Sequence, residues 1–201
     1  ANFGVKSVDA PPVVANAIAD VATTENAADG TISLTHVFKD VDDNNASITK
    51  TAVSSDISLV TASVSGNTLT LDYQADRNGT ATIAVTATSN GMTVDDVFII
   101  TVTGVDDPPI AVSPIADVTV AEDAANTLIN FSNMFSDPDN DNALITKGVA
   151  SSDVSLVPAS VSGSTLTLNY KPNQLGTATI TVTATSNGLT VDDNVTVTVT
   201  S

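Results

Sequence analysis

The chain has 201 residues, 42% of them hydrophobic, and carries 23 acidic against 6 basic side chains for a net charge of −17. A surface this negative repels phosphate backbones, which excludes nucleic acid as an expected partner. Cysteine is absent, so there is no disulfide framework, thiolate nucleophile or cysteine zinc site. No apolar run reaches the length of about 18 residues that a membrane helix needs, so membrane insertion is not expected.

In chain order the first strong signal is Pro11-Pro12, which returns as Pro108-Pro109 at an offset of 97 residues (108 − 11). The same offset maps Asp20 onto Asp117, Glu25 onto Glu122, Asp40 and Asp42 onto Asp137 and Asp139, and Tyr73 onto Tyr170, without a gap. Self-similarity at a fixed period marks a tandem repeat. We expect one repeat over 9–104, a second over 105–201, and in 1–8 the end of a preceding repeat and its linker.

Within each repeat, alternation with period two dominates, as in Thr68-Leu69-Thr70-Leu71 and Val195-Thr196-Val197-Thr198. Trp is absent and aromatics are 3%, so the core must be aliphatic. In the first repeat the pattern predicts strands near 18–22, 32–38, 47–53, 59–64, 68–73, 81–89 and 93–103. Asn90-Gly91 and Asn187-Gly188 between alternating runs are strong hairpin signals. Seven short strands in about 95 residues predict an all-β chain of two tandem seven-stranded Greek-key β-sandwiches of immunoglobulin type.

The loop after the second strand carries Asp40-Val41-Asp42-Asp43 in one repeat and Asp137-Pro138-Asp139-Asn140-Asp141 in the other. Closely spaced oxygen donors suit a hard cation such as calcium. No Gly stands at the sixth position and no Glu at the twelfth, so these loops are not EF-hands. In a sandwich of this topology the linker acids Asp106 and Asp107 are expected beside Asp137 and Asp139 at the entry pole of the second repeat, and Glu25 and Asp76 at the exit pole of the first, facing the same joint. One calcium shell is therefore expected to draw on Glu25, Asp76, Asp106, Asp107, Asp137 and Asp139, with Asp141 closing the loop. Asp9, Asp40 and Asp42 are the matching candidates in the first repeat. A second matched pair, Asp95-Asp96 and Asp192-Asp193, interrupts the last strand and is read as a bulge whose charges protect a sheet edge, the alternative being that they reach back to the acidic loop as ligands.

These features resemble bacterial cadherin-like repeats of the dystroglycan-type group, found in large surface and secreted proteins. The resemblance covers both repeats and rests on the Pro-Pro start, the Phe-x-Asp-x-Asp loop, the Thr-rich last strands and the acidic linkers. Val105-Asp106-Asp107-Pro108 is similar to the acidic linker of animal cadherins, Asp76-Arg77-Asn78 to their Asp-Arg-Glu motif, and Asp137-Pro138-Asp139 to their Asp-x-Asp motif. The linker is shorter and lacks asparagine, which implies one or two ions at a joint and not three.

The resemblance implies a non-catalytic, calcium-binding extracellular module, secreted or on the cell surface. Such a module serves as a rigid stalk or adhesion segment whose partners are neighbouring repeats. Two alternatives stay open. One is a carbohydrate-binding module attached to a polysaccharide-degrading enzyme; the other is calcium-dependent homophilic association, or contact with another surface protein. Enzyme activity is not expected. His36 is the lone histidine and is read as a partly exposed strand residue, no Gly-x-Ser-x-Gly is present, and the acids recur with the repeat. Lys50 and Lys147 are read as outward lysines that blunt an edge.

Overall fold

The computed structural model describes residues 8–201, so the expectation for 1–8 falls almost wholly outside the described residues. The chain divides into two compact units, Ala1–Val105 and Asp106–Ser201. In unit 1 the strands are β1 (Val13–Val14), β2 (Val21–Thr24), β3 (Gly30–Ser33), β4 (Phe38–Lys39), β5 (Thr49–Ser54), β6 (Val60–Ser65), β7 (Thr68–Tyr73), β8 (Gly79–Ser89) and β9 (Met92–Thr103). A short 3-10 turn, Asn45–Ser47, precedes β5. One sheet runs β2-β9-β8-β5, a second β3-β7-β6, and β1 pairs with β4. Unit 2 repeats this plan with β10 (Ile110–Ala111), β11 (Val118–Ala121), β12 (Thr127–Asn130), β13 (Phe135–Ser136), β14 (Thr146–Ser151), β15 (Ala159–Ser162), β16 (Thr165–Leu168), β17 (Gly176–Ser186) and β18 (Leu189–Thr200). Its sheets run β11-β18-β17-β14 and β12-β16-β15, with β10 on β13.

Each unit is thus a seven-strand sandwich in which the first two strands are both broken. The predicted first strand near 18–22 is two pieces. β1 pairs antiparallel with β4, and β2 then pairs in parallel with β9, aligning Val21 with Ile100 and Thr24 with Thr103. The chain changes sheets between them. The second strand is interrupted at 35–37, so His36 is an exposed turn residue and not the strand residue expected.

Period-two alternation sorts the side chains. On β8, Ala81, Ile83, Val85 and Ala87 point inward, and on β9, Phe98, Ile100 and Val102 meet them. Threonines occupy the opposite face, as expected of a sheet with one wet side. Asn90 and Gly91 both take positive φ, 47° and 84°, so the β8–β9 reversal is the tight hairpin that Asn-Gly encodes.

Two expectations for strands are corrected. β9 pairs without interruption through Asp95 and Asp96, opposite Thr86 and Val85, so there is no bulge. Asp96 takes an inward, buried position and not the outward one that would guard an edge, although β2 covers β9 only from Ile100 to Thr103. Lys50 is half-buried and does not point outward. Its Nζ donates to the carbonyl of Ile48 at 3.1 Å and to Asn67 Oδ1 at 2.9 Å, and burial lowers its pKa.

The two cores share no residue: Phe131, Ile180 and Val197 belong to unit 2, and Leu34, Ile83 and Phe98 to unit 1. Phe131 is fully buried. Phe131→Ala should cost unit 2 about 3–5 kcal/mol through lost burial and a cavity. Urea denaturation should then show one transition moved to lower concentration and the other in place.

Candidate metal centre

In unit 2 the loop after β13 is organised by Asp137. Its Oδ1 accepts the N–H groups of Asp139 at 2.9 Å and Asn140 at 2.9 Å, and the amide of Asn140 at 3.2 Å. Asn142 closes the loop by accepting the N–H of Asp137 at 2.7 Å. The linker acids arrive at the same place. Asp107 donates its N–H to Asp139 Oδ2 at 2.7 Å, and Asp106 Oδ1 accepts from Asn140 at 2.7 Å and from Asn187 of the β17–β18 hairpin at 3.1 Å. Asp106, Asp107, Asp137 and Asp139 therefore meet at one pole of unit 2, as the topology predicted. Asp141 is otherwise employed, since its Oδ1 caps the 3-10 turn Asn142–Leu144 by accepting the N–H of Ala143.

Unit 1 builds the same pole from Asp9, Asp40, Asp42 and Asp43. Asp40 Oδ1 accepts the N–H groups of Asp42 at 2.9 Å and Asp43 at 3.3 Å. Asp42 Oδ2 accepts from Ala10, and Asn90 bridges Asp9 and Asp43. At the other pole of unit 1, Glu25 is buried and its Oε1 accepts the N–H of Val105. The adjacent Asn26 exchanges hydrogen bonds of 3.1 Å with Asp76, which is exposed and sits at φ 54°. Of the expected shell, Glu25 and Asp76 are therefore held by unit 1, and the linker and loop acids by unit 2.

Three buried side-chain oxygens have no hydrogen-bond partner among the described residues: Glu25 Oε2, Asp40 Oδ2 and Asp137 Oδ2. All three belong to the candidate ligand set. Their side chains are 3%, 4% and 7% exposed, so water does not reach the idle oxygens freely. A buried carboxylate oxygen without a partner is costly unless a donor or cation meets it.

The charge states suit a cation. N–H groups, led by that of Asp42, hold Asp40 below the ordinary carboxylate range. Burial alone would raise Asp137, but the nearby Ser186 hydroxyl and the N–H groups of Asp139 and Asn140 outweigh it and hold Asp137 low. Asp43 moves the other way, raised by burial and then by the charges of Asp9 and Asp40. Negative charge is crowded at this pole.

Sequence reading missed the hairpin asparagines Asn90 and Asn187 and the loop-closing Asn45 and Asn142. The signal was present, since all four recur at the repeat offset. Their hairpin role alone accounted for Asn90 and Asn187, which concealed the second one. The matched acids Asp95-Asp96 and Asp192-Asp193 do not reach the loops. Asp95 and Asp192 accept from the hydroxyls of Thr86 and Thr183, while Asp96 and Asp193 bind the N–H groups of Ile18 and Ile115.

No protein-family model matches the chain, and no curated protein matches it. Among solved structures it is similar to Drosophila N-cadherin EC1-4, at 19% identity and a TM-score of 0.50, over 96% of this chain and 50% of that one. It is also similar to mouse cadherin-23 EC22-24, at 20% identity and a TM-score of 0.46, over 94% of this chain and 64% of that one. A third similar chain is the endo-fucoidan hydrolase MfFcnA4 of glycoside hydrolase family 107, at 16% identity and a TM-score of 0.43, covering 98% of this chain and 30% of that one. The N-cadherin likeness establishes the fold as cadherin-like β-sandwich. No helix among the described residues is long and apolar enough to cross a membrane.

A depressed carboxylate pKa contributes stability above the unfolded-state value, and that stability is lost as pH falls through the folded-state value. In chelator, unit 2 should therefore lose stability as pH drops below about 4, and Asp137→Asn should flatten that slope. Thermal unfolding across a pH series measures it.

Proposed function

We propose that the chain is a calcium-binding, non-catalytic repeat segment of a bacterial surface or secreted protein, acting outside the cell as a stalk or adhesion segment. The observation that carries the reading is the set of orphaned oxygens on Glu25, Asp40 and Asp137. Every one lies in a side chain selected from the sequence as a ligand, and each has its other oxygen fixed by backbone N–H groups. Such a carboxylate is anchored and charged, with one acceptor left to give.

The donor chemistry selects among metals. Carboxylate and amide oxygens without thiolate or imidazole suit calcium better than zinc or copper. In unit 2 the holders would be Asp137, Asp139 and Asp106, with Asp107 and the Asn140 and Asn187 amide oxygens at hand. In unit 1 they would be Asp40, Asp42, Asp43 and Asp9. Calcium bound there neutralises crowded carboxylates and satisfies the idle oxygens. The recurrence of the acids in both units supports a structural role over a catalytic one.

Calcium should raise the melting temperature of the intact chain. At a concentration about 100 times the dissociation constant, linkage gives about 2.7 kcal/mol per site. Asp137→Asn should weaken binding at the unit 2 pole about tenfold or more while leaving the loop's Oδ1 hydrogen bonds in place. Calorimetric titration of wild type, Asp137→Asn, Asp40→Asn and Glu25→Gln assigns the sites. An unchanged melting temperature and no binding heat with calcium would overturn the reading. Hydrodynamic radius with and without calcium tests the stiffening expected of the short acidic linker.

A further inference from the structure

The inward acids Asp96 and Asp193 take no part in the metal poles, and their role follows from where the chain changes sheets. Between β1 and β2, residues 15–20 leave one sheet and join the other. Two carboxylates hold this crossing onto the last strand. Asp96 Oδ2 accepts the N–H of Ile18 at 2.7 Å, and Asp20 Oδ1 accepts the N–H of Ile99 at 2.7 Å. Unit 2 repeats both, Asp193 to Ile115 at 2.7 Å and Asp117 to Thr196 at 2.8 Å. At the far end the ladder is continued by Glu25 N–H to the Thr103 carbonyl, and in unit 2 by Glu122 to Thr200.

The pairs β2–β9 and β11–β18 are parallel and join the first strands of a unit to its last. Tension along the chain pulls β2 at its start and β9 at its end. In a parallel pair those points lie at opposite ends, so every bond between the strands is loaded at once, in shear. An antiparallel pair would bring them to one end and open bond by bond. After the two-residue β1–β4 pairing and the bonds of Ala15 and Asn16 to the carbonyls of Val37 and His36, tension from the N-terminal side next meets the two carboxylate bonds. Hydrogen bonds to an ionised acceptor are about twice as strong as neutral ones.

We propose that each unit is built to bear tension along the chain, and that Asp20 with Asp96, and Asp117 with Asp193, are locks that set its resistance. This reading is independent of calcium, and its test is run in chelator. The chain contains no cysteine, so handles can be attached at introduced ones. With handles at Val8→Cys and Ser201→Cys, single-molecule force spectroscopy should show Asp20→Ala/Asp117→Ala unfolding about ten times faster or more at a given force than the parent. Asp96→Ala/Asp193→Ala should do the same; should burial of that pair prevent folding, the exposed Asp20 and Asp117 pair decides alone. Handles at Thr35→Cys and Ile57→Cys load β4 and β5 instead, and there Asp20→Ala should unfold at the parent's rate. Equal acceleration in both geometries would reduce the locks to general stability, and no acceleration with terminal handles would remove them; either result overturns the proposal.

Discussion

A carboxylate with one oxygen tied down and the other idle is the constraint on which the poles of both units depend. Asp137 Oδ1 gathers the N–H groups of Asp139 and Asn140 and so shapes its loop; Asp40 does the same with Asp42 and Asp43. The carboxylate that shapes the loop with one oxygen brings a second, buried oxygen that is left over. A protonated side chain would relieve the charge, but the surrounding donors hold both residues ionised. The groups that shape the loop are thus the same groups that keep it anionic.

The two poles are variants of one design. Asp43 of unit 1 is replaced by Asn140 in unit 2, and Ala10 by Asp107. In unit 1 the third loop acid is Asp43, which Asp9 and Asp40 raise, whereas in unit 2 it is Asp141, one position further on, where it caps the 3-10 turn. Unit 2 shifts one acid to the linker and lets the Asn140 amide hydrogen-bond Asp106.

Much of this could be read from the residues. Period-two alternation located β5 to β9 because each has one wet and one buried face, and Asn90-Gly91 located the hairpin. The acids that gather at the poles stood out because their spacing recurs at the repeat offset. What escaped reading depended on distant partners. The residues up to 22 look like one continuous strand locally, and only the pairings of β1 with β4 and of β2 with β9 show that 15–20 are a crossing. Asp96 looks like a break in an apolar pattern, since nothing nearby in sequence reveals that Ile18 N–H meets it. The orphaned oxygens are likewise invisible in a sequence, which shows which acids exist but not which of their oxygens are already taken.

The parallel pairing of β2 with β9 also governs how the protein is made. Val21 finds its partner at Ile100, and Asp20 reaches Ile99 across a separation of 79 residues. As the chain leaves the ribosome, β2 emerges early and waits, its N–H groups unmatched, until nearly the whole unit has followed. Long-range pairings of this kind are slow to form, since the loop they close must first be gathered in. Each unit is therefore completed by its last strand, and a nascent chain halted before β9 has a sheet without its second strand and a core without Phe98.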